Sequence, residues 1–259
     1  MSTTPMHIPD LAEKAVLITG ASTGIGAALA RAFAAQGALV GLHYHASKDA
    51  AEALAHEITD KGGKVYLVCG NAADPKQVER LVNDTAHHFG KLDGLINNAG
   101  GMVERVLTTE ASDEQYDAVM DLNARSVLVA TRAAVPWLKK QGGFVIHTTS
   151  IAARNGGSGG ATLYAASKGF VSTLTHGQAK ELIGFGIRVN GVAPGVILTP
   201  FHERYSTGAQ LAAMKATIPQ GRLGTAEDCV GAYLFLASQA LSGYIIGQVI
   251  EVNGGQLMP

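Results

Sequence analysis

The chain of 259 residues is 47% hydrophobic and 16% charged, enough apolar content for one large core. A net charge of −1 with no basic block argues against nucleic acid or an anionic membrane surface as partners. No apolar run nears the ~20 residues of a membrane helix and the first ten residues lack a signal-peptide core, so a soluble, cytoplasmic protein is expected. The two cysteines, Cys69 and Cys229, lie in apolar contexts that suit reduced, buried thiols.

Residues 1–13 read as a loose arm. Ala15 to Gly20 is a short apolar run ending in glycine, the pattern of a buried parallel strand. Ile25 to Gln36 reads as an alanine-rich helix and Leu39 to Tyr44 as a second strand. Ala50 to Lys61 is a second helix, closed by Gly62-Gly63. Lys64 to Gly70 forms a third strand. Pro75, in a first helical turn, starts a third helix that runs to Phe89 and is capped by His87-His88. Leu92 to Ala99 is a fourth strand, followed by a long helix from Asp113 to about Leu138 with Ser112-Asp113 as caps. Phe144 to Thr149, Ile187 to Ala193 and Val249 to Val252 supply the remaining strands, and Thr162 to Leu182 a further helix. Strand and helix alternate throughout, with short connections. The expected fold is α/β: a single doubly wound domain over 1–259, with a seven-stranded parallel sheet and helices on both faces. Residues 196–224 are less regular and read as a possible substrate lid.

Between the first strand and first helix lies Thr19-Gly-Ala-Ser-Thr-Gly-Ile-Gly26. Glycines let such a turn approach a pyrophosphate, which the unpaired N–H groups of the following helix then hold. The spacing is one residue wider than Gly-x-Gly-x-x-Gly, and no Gly-Lys-Ser/Thr follows to make a mononucleotide P-loop. After the second strand, His43-Tyr-His-Ala-Ser-Lys48 contains no acid before Asp49 to accept from a ribose 2′-hydroxyl. His45, Ser47 and Lys48 suit a 2′-phosphate instead, so NADP(H) is favoured over NAD(H), although Thr23 is neutral where a base would help. Otherwise His43 and His45 read as solvated loop residues. They have no partners at ligand spacing, so no metal site is expected.

A glycine-rich loop separates Ser150 from Tyr164, and Lys168 follows one helical turn later, on the same face. A phenol is a poor proton donor or acceptor at neutral pH, and a nearby cation would lower its pKa toward a useful range. A helix start with a surface lysine describes the same residues. In the long helix, Tyr116, Met120, Asn123, Val127, Ala130 and Ala134 share one buried face, on which Asn123 is the polar exception.

Taken together, these motifs resemble the short-chain dehydrogenases/reductases over essentially the whole chain. The matches are the glycine turn, Asn97-Asn-Ala-Gly100, Asn123, Ser150, Tyr164-Ala-Ala-Ser-Lys168, Pro194-Gly195 with Thr199, and Gly247-Gln with Asn253-Gly-Gly255. The resemblance implies a Rossmann-type fold, NAD(P) and reversible oxidation of a secondary alcohol to a carbonyl. It makes Tyr164 the general acid/base, with Ser150 bonding the substrate oxygen. Lys168 would lower the tyrosine's pKa and bind the nicotinamide ribose, and Asn123 would hold a relay water. Thr148 and Thr149 remain rivals to Ser150, because the loop is one residue longer than in many members.

The cofactor contacts that follow from it are Gly20, Ser22, Thr23, Gly24, Ile25 and Gly26, then Tyr44, His45, Ser47, Asn71 and Ala72. Asn97, Ala99, Gly100, Tyr164, Lys168, Pro194, Gly195, Ile197 and Thr199 complete the set. Asn71 stands where the family often has an aspartate at the adenine.

The pocket edge comprises 101–105, 152–155 and 201–205 and mixes polar with apolar residues. The first expectation is a 3-oxoacyl-thioester reductase-like enzyme, with Lys139, Lys140 and Lys180 open to an acidic carrier protein. A sugar or polyol dehydrogenase, resembling glucose 1-dehydrogenases, is the alternative. A non-catalytic nucleotide-binding regulator on the same fold is the competing class. A Ser150 hydrolase lacks the Gly-x-Ser-x-Gly elbow. A homotetramer built through the long helices is expected from the resemblance.

Overall fold

The computed structural model describes residues 7–258. From the N-terminus the chain forms β1 (Ala15–Ile18), α1 (Gly24–Ala35), β2 (Leu39–Tyr44), α2 (Lys48–Asp60) and β3 (Lys64–Cys69). There follow α3 (Pro75–Phe89), β4 (Gly94–Asn97), α4 (Asp113–Met120), a π turn (Asp121–Arg125) and α5 (Ser126–Leu138). The second half holds β5 (Gly143–Thr148), α6 (Ala152–Asn155), α7 (Thr162–Leu182) and β6 (Ile187–Pro194). Last come α8 (Pro200–Tyr205), α9 (Gly208–Ala216), α10 (Ala226–Ala237), α11 (Gln239–Ser242) and β7 (Val249–Val252).

All seven strands are parallel, in the order β3-β2-β1-β4-β5-β6-β7. Because side chains alternate across a strand, β1 sends Val16 and Ile18 to one face and Leu17 to the other. The first face packs on α1, α2 and α10 through Leu29, Phe33, Leu54, Ile58 and Tyr233. The second packs on α3, α5 and α7 through Leu81, Val82, Val129, Leu138 and Ala179. Both faces are covered, which is why the central strands read as continuous apolar runs. No helix among the described residues is long and apolar enough to cross a membrane.

Local chemistry explains the boundaries. Asp74 accepts from the Lys76 and Gln77 amides and Pro75 opens α3. Ser112 and Gln115 form a reciprocal capping box on α4. Gly90, at φ +72, closes α3. His87 and His88 therefore do not cap this helix: His88 stacks on Tyr66 at 3.9 Å and His87 meets the edge of Trp137.

Other expectations need correcting. Residues 1–6 of the expected loose arm lie outside the described residues, but 7–13 are anchored. Ile8 and Leu11 are buried, and Asp10 accepts from Ser238 and the Ala240 amide. Cys69 is exposed and only Cys229 is buried. Tyr116 is 50% exposed, because α4 meets the molecule along a narrower stripe than the sequence period implies. The stretch 196–224 carries α8 and α9, and the unforeseen α10 and α11 precede β7. Arg188 from β6 donates to the Leu236 and Ala237 carbonyls at the end of α10, favourable charge at a helix C-terminus.

Packing on the sheet gives opposite expectations for two glycines. A Cβ at Gly94 would enter the Phe144 ring, whereas a Cβ at Gly177, exposed on α7, meets nothing. Gly94→Ala is expected to destabilise by about 1–3 kcal/mol. Gly177→Ala is expected to stabilise by about 1 kcal/mol through helix propensity. Urea denaturation midpoints check both.

Candidate active site

The carboxyl ends of β1, β4, β5 and β6 face one edge of the sheet, and connections leave β1 and β4 toward opposite sides. Ligands of open parallel sheets bind at that divergence. The glycine turn lies there. Gly20 sits at φ +63, where a Cβ would meet the Ala99 Cα at 2.9 Å. Gly26 has no room for any side chain against the Gly20 carbonyl and Asn98. Thr23 enters α1 without a side-chain cap bond, so the first-turn amides are not satisfied by it. A cradle of bare backbone at a helix N-terminus fits a dinucleotide's pyrophosphate.

The turn is braced from β4. Thr19 Oγ1 accepts from the Asn98 and Ala99 amides, and Asn98 Nδ2 donates to the carbonyls of Thr19 and Gly20, both at 3.0 Å. Thr199, the N-terminal cap position of α8, abuts Gly24 on the other side. Gly195 packs on Asn253, and the Pro194 carbonyl accepts from the Ile151 amide. His45, Ser47 and Lys48 are exposed beyond β2, and Lys48 pairs with Glu52 at 3.5 Å. Asn71 Oδ1 accepts from the Ala73 amide, which leaves one lone pair for an adenine amino group.

One expected contact and one expected loop residue stand differently. Asn97 is buried, and its amide donates to Thr131 Oγ1 and His147 Nδ1, so it braces the core and does not reach toward a ribose. His43 is no solvated loop residue: it is 2% exposed, with both ring nitrogens bonded to backbone. No cluster of three or more metal-ligating side chains occurs among the described residues.

The four chemical residues converge. Ser150 Oγ accepts from the Ala152 amide at 3.1 Å and lies beside Tyr164, whose ionised form it favours. Its rivals are turned inward: Thr148 Oγ1 bonds the Tyr233 hydroxyl at 2.7 Å, and Thr149 Oγ1 bonds Ser172 and the Lys168 carbonyl. Lys168 is 3% exposed and donates from Nζ to the Thr148 carbonyl at 2.9 Å. Its Nζ lies 5.9 Å from the centre of the Tyr164 ring. Asn123 falls in the π turn, a widened turn often found at functional sites. Its side chain is spent on Gly101, accepting from the amide at 3.0 Å and donating to the carbonyl at 2.8 Å, and on the Val119 carbonyl. Gly100 lets Asn123 Oδ1 and Lys168 Nζ approach, since a Cβ there would meet both within 3.0 Å.

Burial decides the electrostatics. It pushes the Tyr164 phenol up to about 12, against a smaller lowering by Ser150, and pushes Lys168 down to about 8. Burial and Ser150 alone set the phenol, without the expected contribution from the lysine, and Tyr164 carries its proton at neutral pH. On the substrate side, Phe201 packs 5.5 Å from Tyr164, and Arg105 donates to the Tyr205 carbonyl, Ser158 and Gly159. The loop between Ser150 and Tyr164 is partly helical through α6.

Sequence reasoning did not single out His147, which lies in β5 beneath the site. Its Nδ1 meets Asn97 and its Nε2 meets Gln178 Oε1 at 2.9 Å, tying β4 and β5 to α7. A polar residue inside an apolar strand was the available signal. Burial pushes His147 down to about 4 from an ordinary 6.5, so it is neutral in the fold. That stability is complete above about 6.5 and is lost as pH falls toward 4, by roughly 3 kcal/mol. His147→Gln is expected to flatten this part of the acid limb in denaturation curves measured from pH 7 to 4.

The sequence and fold have clear relatives. The enoyl-(acyl carrier protein) reductase family model matches residues 20–256. A 3-oxoacyl-[acyl-carrier-protein] reductase of Synechocystis sp. is 38% identical over 96% of this chain and 98% of its own length. The Thermotoga maritima reductase of the same name is 39% identical over 93% and 97%. Among solved structures, the NADH-dependent reductase A1-R′ superposes with TM-score 0.89 at 39% identity, over 97% of this chain and 100% of its own. A short-chain dehydrogenase from Burkholderia cenocepacia in complex with NADP gives 0.90 at 34%, over 95% and 99%. With the glycine cradle, the Tyr164–Lys168 pair and full-length relatives in agreement, this chain belongs to the short-chain dehydrogenases/reductases, as an NAD(P)-dependent oxidoreductase acting on CH–OH groups.

Proposed function

We propose that this protein reduces a 3-oxoacyl thioester with NADP(H), using Tyr164, Ser150, Lys168 and Asn123. The observation that carries the reading is the Tyr164 ring with the buried Lys168 Nζ 5.9 Å from its centre, one helical turn away, and Ser150 beside the phenol. When bound, the nicotinamide supplies or accepts the hydride. In reduction, Tyr164 donates its proton to the carbonyl oxygen while the Ser150 hydroxyl bonds the same oxygen. The Lys168 ammonium compensates the phenolate that remains. Asn123 holds the Gly101 backbone beside Lys168, and the π turn around it suits a water on the path by which Tyr164 is reprotonated. Residues 196–224, with Phe201 against Tyr164, act as the substrate lid.

NADP(H) is favoured because the end of β2 offers His45, Ser47 and Lys48 and no carboxylate before Asp49. The homotetramer is supported by apolar side chains left exposed on the long helices, Tyr116, Leu128 and Phe170. The exposed Lys139, Lys140 and Lys180 suit an acidic carrier. A second reading is a sugar-derived substrate. It draws on the relative A1-R′, an NADH-dependent reductase responsible for alginate metabolism, and on the polar groups of Arg105 and Asn155.

A screen of 3-oxoacyl thioesters and oxidised sugars, followed at 340 nm with both cofactors, tests substrate and cofactor together. Tighter binding of NADH than of NADPH overturns the cofactor preference. Tyr164→Phe is expected to lower turnover by about 10²–10⁴-fold with cofactor affinity unchanged; retained turnover sinks the mechanism. Lys168 is charged below about 8, so reduction is expected to stay level from pH 6 to 7.5 and to decline above 8. Oxidation, which needs the phenolate, is expected to rise with pH over the same range. A monomer by light scattering counts against the tetramer.

A further inference from the structure

We propose that His43 is a positioning residue for the dinucleotide: its neutral imidazole holds the phosphate-binding turn in shape, and protonating that ring in mild acid weakens cofactor binding. The inference rests on the dinucleotide reading of the glycine turn. His43 touches that turn twice. Its Nδ1 accepts from the Gly20 amide at 2.9 Å, and its backbone carbonyl accepts from the next amide, Ala21, at 2.7 Å. On its far side, Nε2 lies 2.9 Å from the Gly70 carbonyl, immediately before Asn71 and Ala72. One imidazole thus spans the two backbone segments that frame the adenosine half of the cleft.

The bonding pattern admits a single protonation state. Gly20 offers an N–H, so Nδ1 must be bare; Gly70 offers a carbonyl, so Nε2 must carry the hydrogen. An imidazolium would set a second N–H against the Gly20 N–H. Gly20 cannot retreat easily, because it packs on Ala99 at φ +63 and Asn98 Nδ2 holds its carbonyl. The mismatch therefore falls on the phosphate turn itself.

The surroundings oppose the charge. The small cavity beside His43 is lined from β1, α3, β4 and α5 by Thr19, Val78, Leu81, Asn97, Ala99 and Val127, none of them ionisable at these pH values. From β3 the nearest titratable side chain is the Cys69 thiol, which bonds the His45 carbonyl. From β2 itself, His45 adds a repelling charge when protonated. Burial holds His43 below 6.5 against a smaller raising by the Gly70 bond, and His45 adds a still smaller lowering. The ring is neutral at pH 7 and takes a proton only in acid, so affinity is complete at neutral pH and falls with pH.

The test titrates NADH, which lacks a 2′-phosphate that would titrate in the same range. The Kd is measured by fluorescence from pH 7.5 to 4.5, alongside the ¹⁵N shifts of the His43 ring. The expected result for the native chain is an Nε2–H tautomer at pH 7.5 and a Kd that rises at least fivefold, with its midpoint at the His43 titration. His43→Asn retains an acceptor for Gly20 and cannot titrate, so its Kd is expected to stay near the native value and flat within twofold. His43→Leu, with no acceptor, binds more weakly at every pH. A native Kd that is flat, a midpoint away from the His43 titration, or a His43→Asn chain that keeps the native slope overturns the proposal. Should His43→Asn fail to fold, agreement of the two midpoints in the native chain decides. Absence of NADH binding even at pH 7.5 sinks the dinucleotide reading, and this inference with it.

Discussion

In an all-parallel sheet every strand delivers its carboxyl end to the same edge, and here the chain leaves β1 and β4 in opposite directions. That divergence is the constraint on which the site depends. It opens a cleft floored by strand ends and walled by the N-terminus of α1, whose first-turn amides, left without a side-chain cap, face whatever enters. It also brings loops distant in sequence to one place. Asn98 from the end of β4 reaches the Thr19 and Gly20 carbonyls, and Thr199 from the entry to α8 leans on Gly24. The same edge receives Ser150 from the end of β5 and the start of α7, so the glycine turn and the residues proposed for proton transfer share one cleft.

Within the cleft, desolvation sets both the tyrosine and the lysine. Both groups are pushed toward their neutral forms, the phenol up and the ammonium down. For a reductase this is useful chemistry. In the proposed reduction the phenol would arrive with the proton that a reduced carbonyl needs, with the Lys168 Nζ 5.9 Å from its ring centre. Asn123 contributes by building: it pins the Gly101 backbone beside Lys168, and a buried amide with both N–H groups and its oxygen engaged holds a single geometry.

Beneath these groups lies a layer of neutral histidines that does not enter the chemistry. His43 bridges the glycine turn to the segment after β3, and His147 bridges β4 and β5 to α7. Each accepts at Nδ1 and donates at Nε2, and each lies below the ordinary histidine pKa because burial penalises its charge. The fold thus relies on imidazole as a rigid two-ended linker, at the cost of sensitivity to acid.

The sequence by itself determined the architecture and, through its resemblance to a family, named four candidate residues for the chemistry. Alternating apolar runs and helical periods, punctuated by Gly, Pro and capping residues, are local properties, so seven strands and the main helices were legible. The motifs of the glycine turn and of Tyr164 to Lys168 were legible for the same reason. Tertiary structure alone decided what each polar side chain faces. His43 in a loop-like context proved buried, and Asn97 turned into the core. Tyr116 stayed exposed, and α10 was missed because an apolar helix packed on α1 shows little period. The balance that set Tyr164 and Lys168 toward neutrality was equally invisible, because desolvation depends on everything packed around a group and no spacing between two residues encodes it.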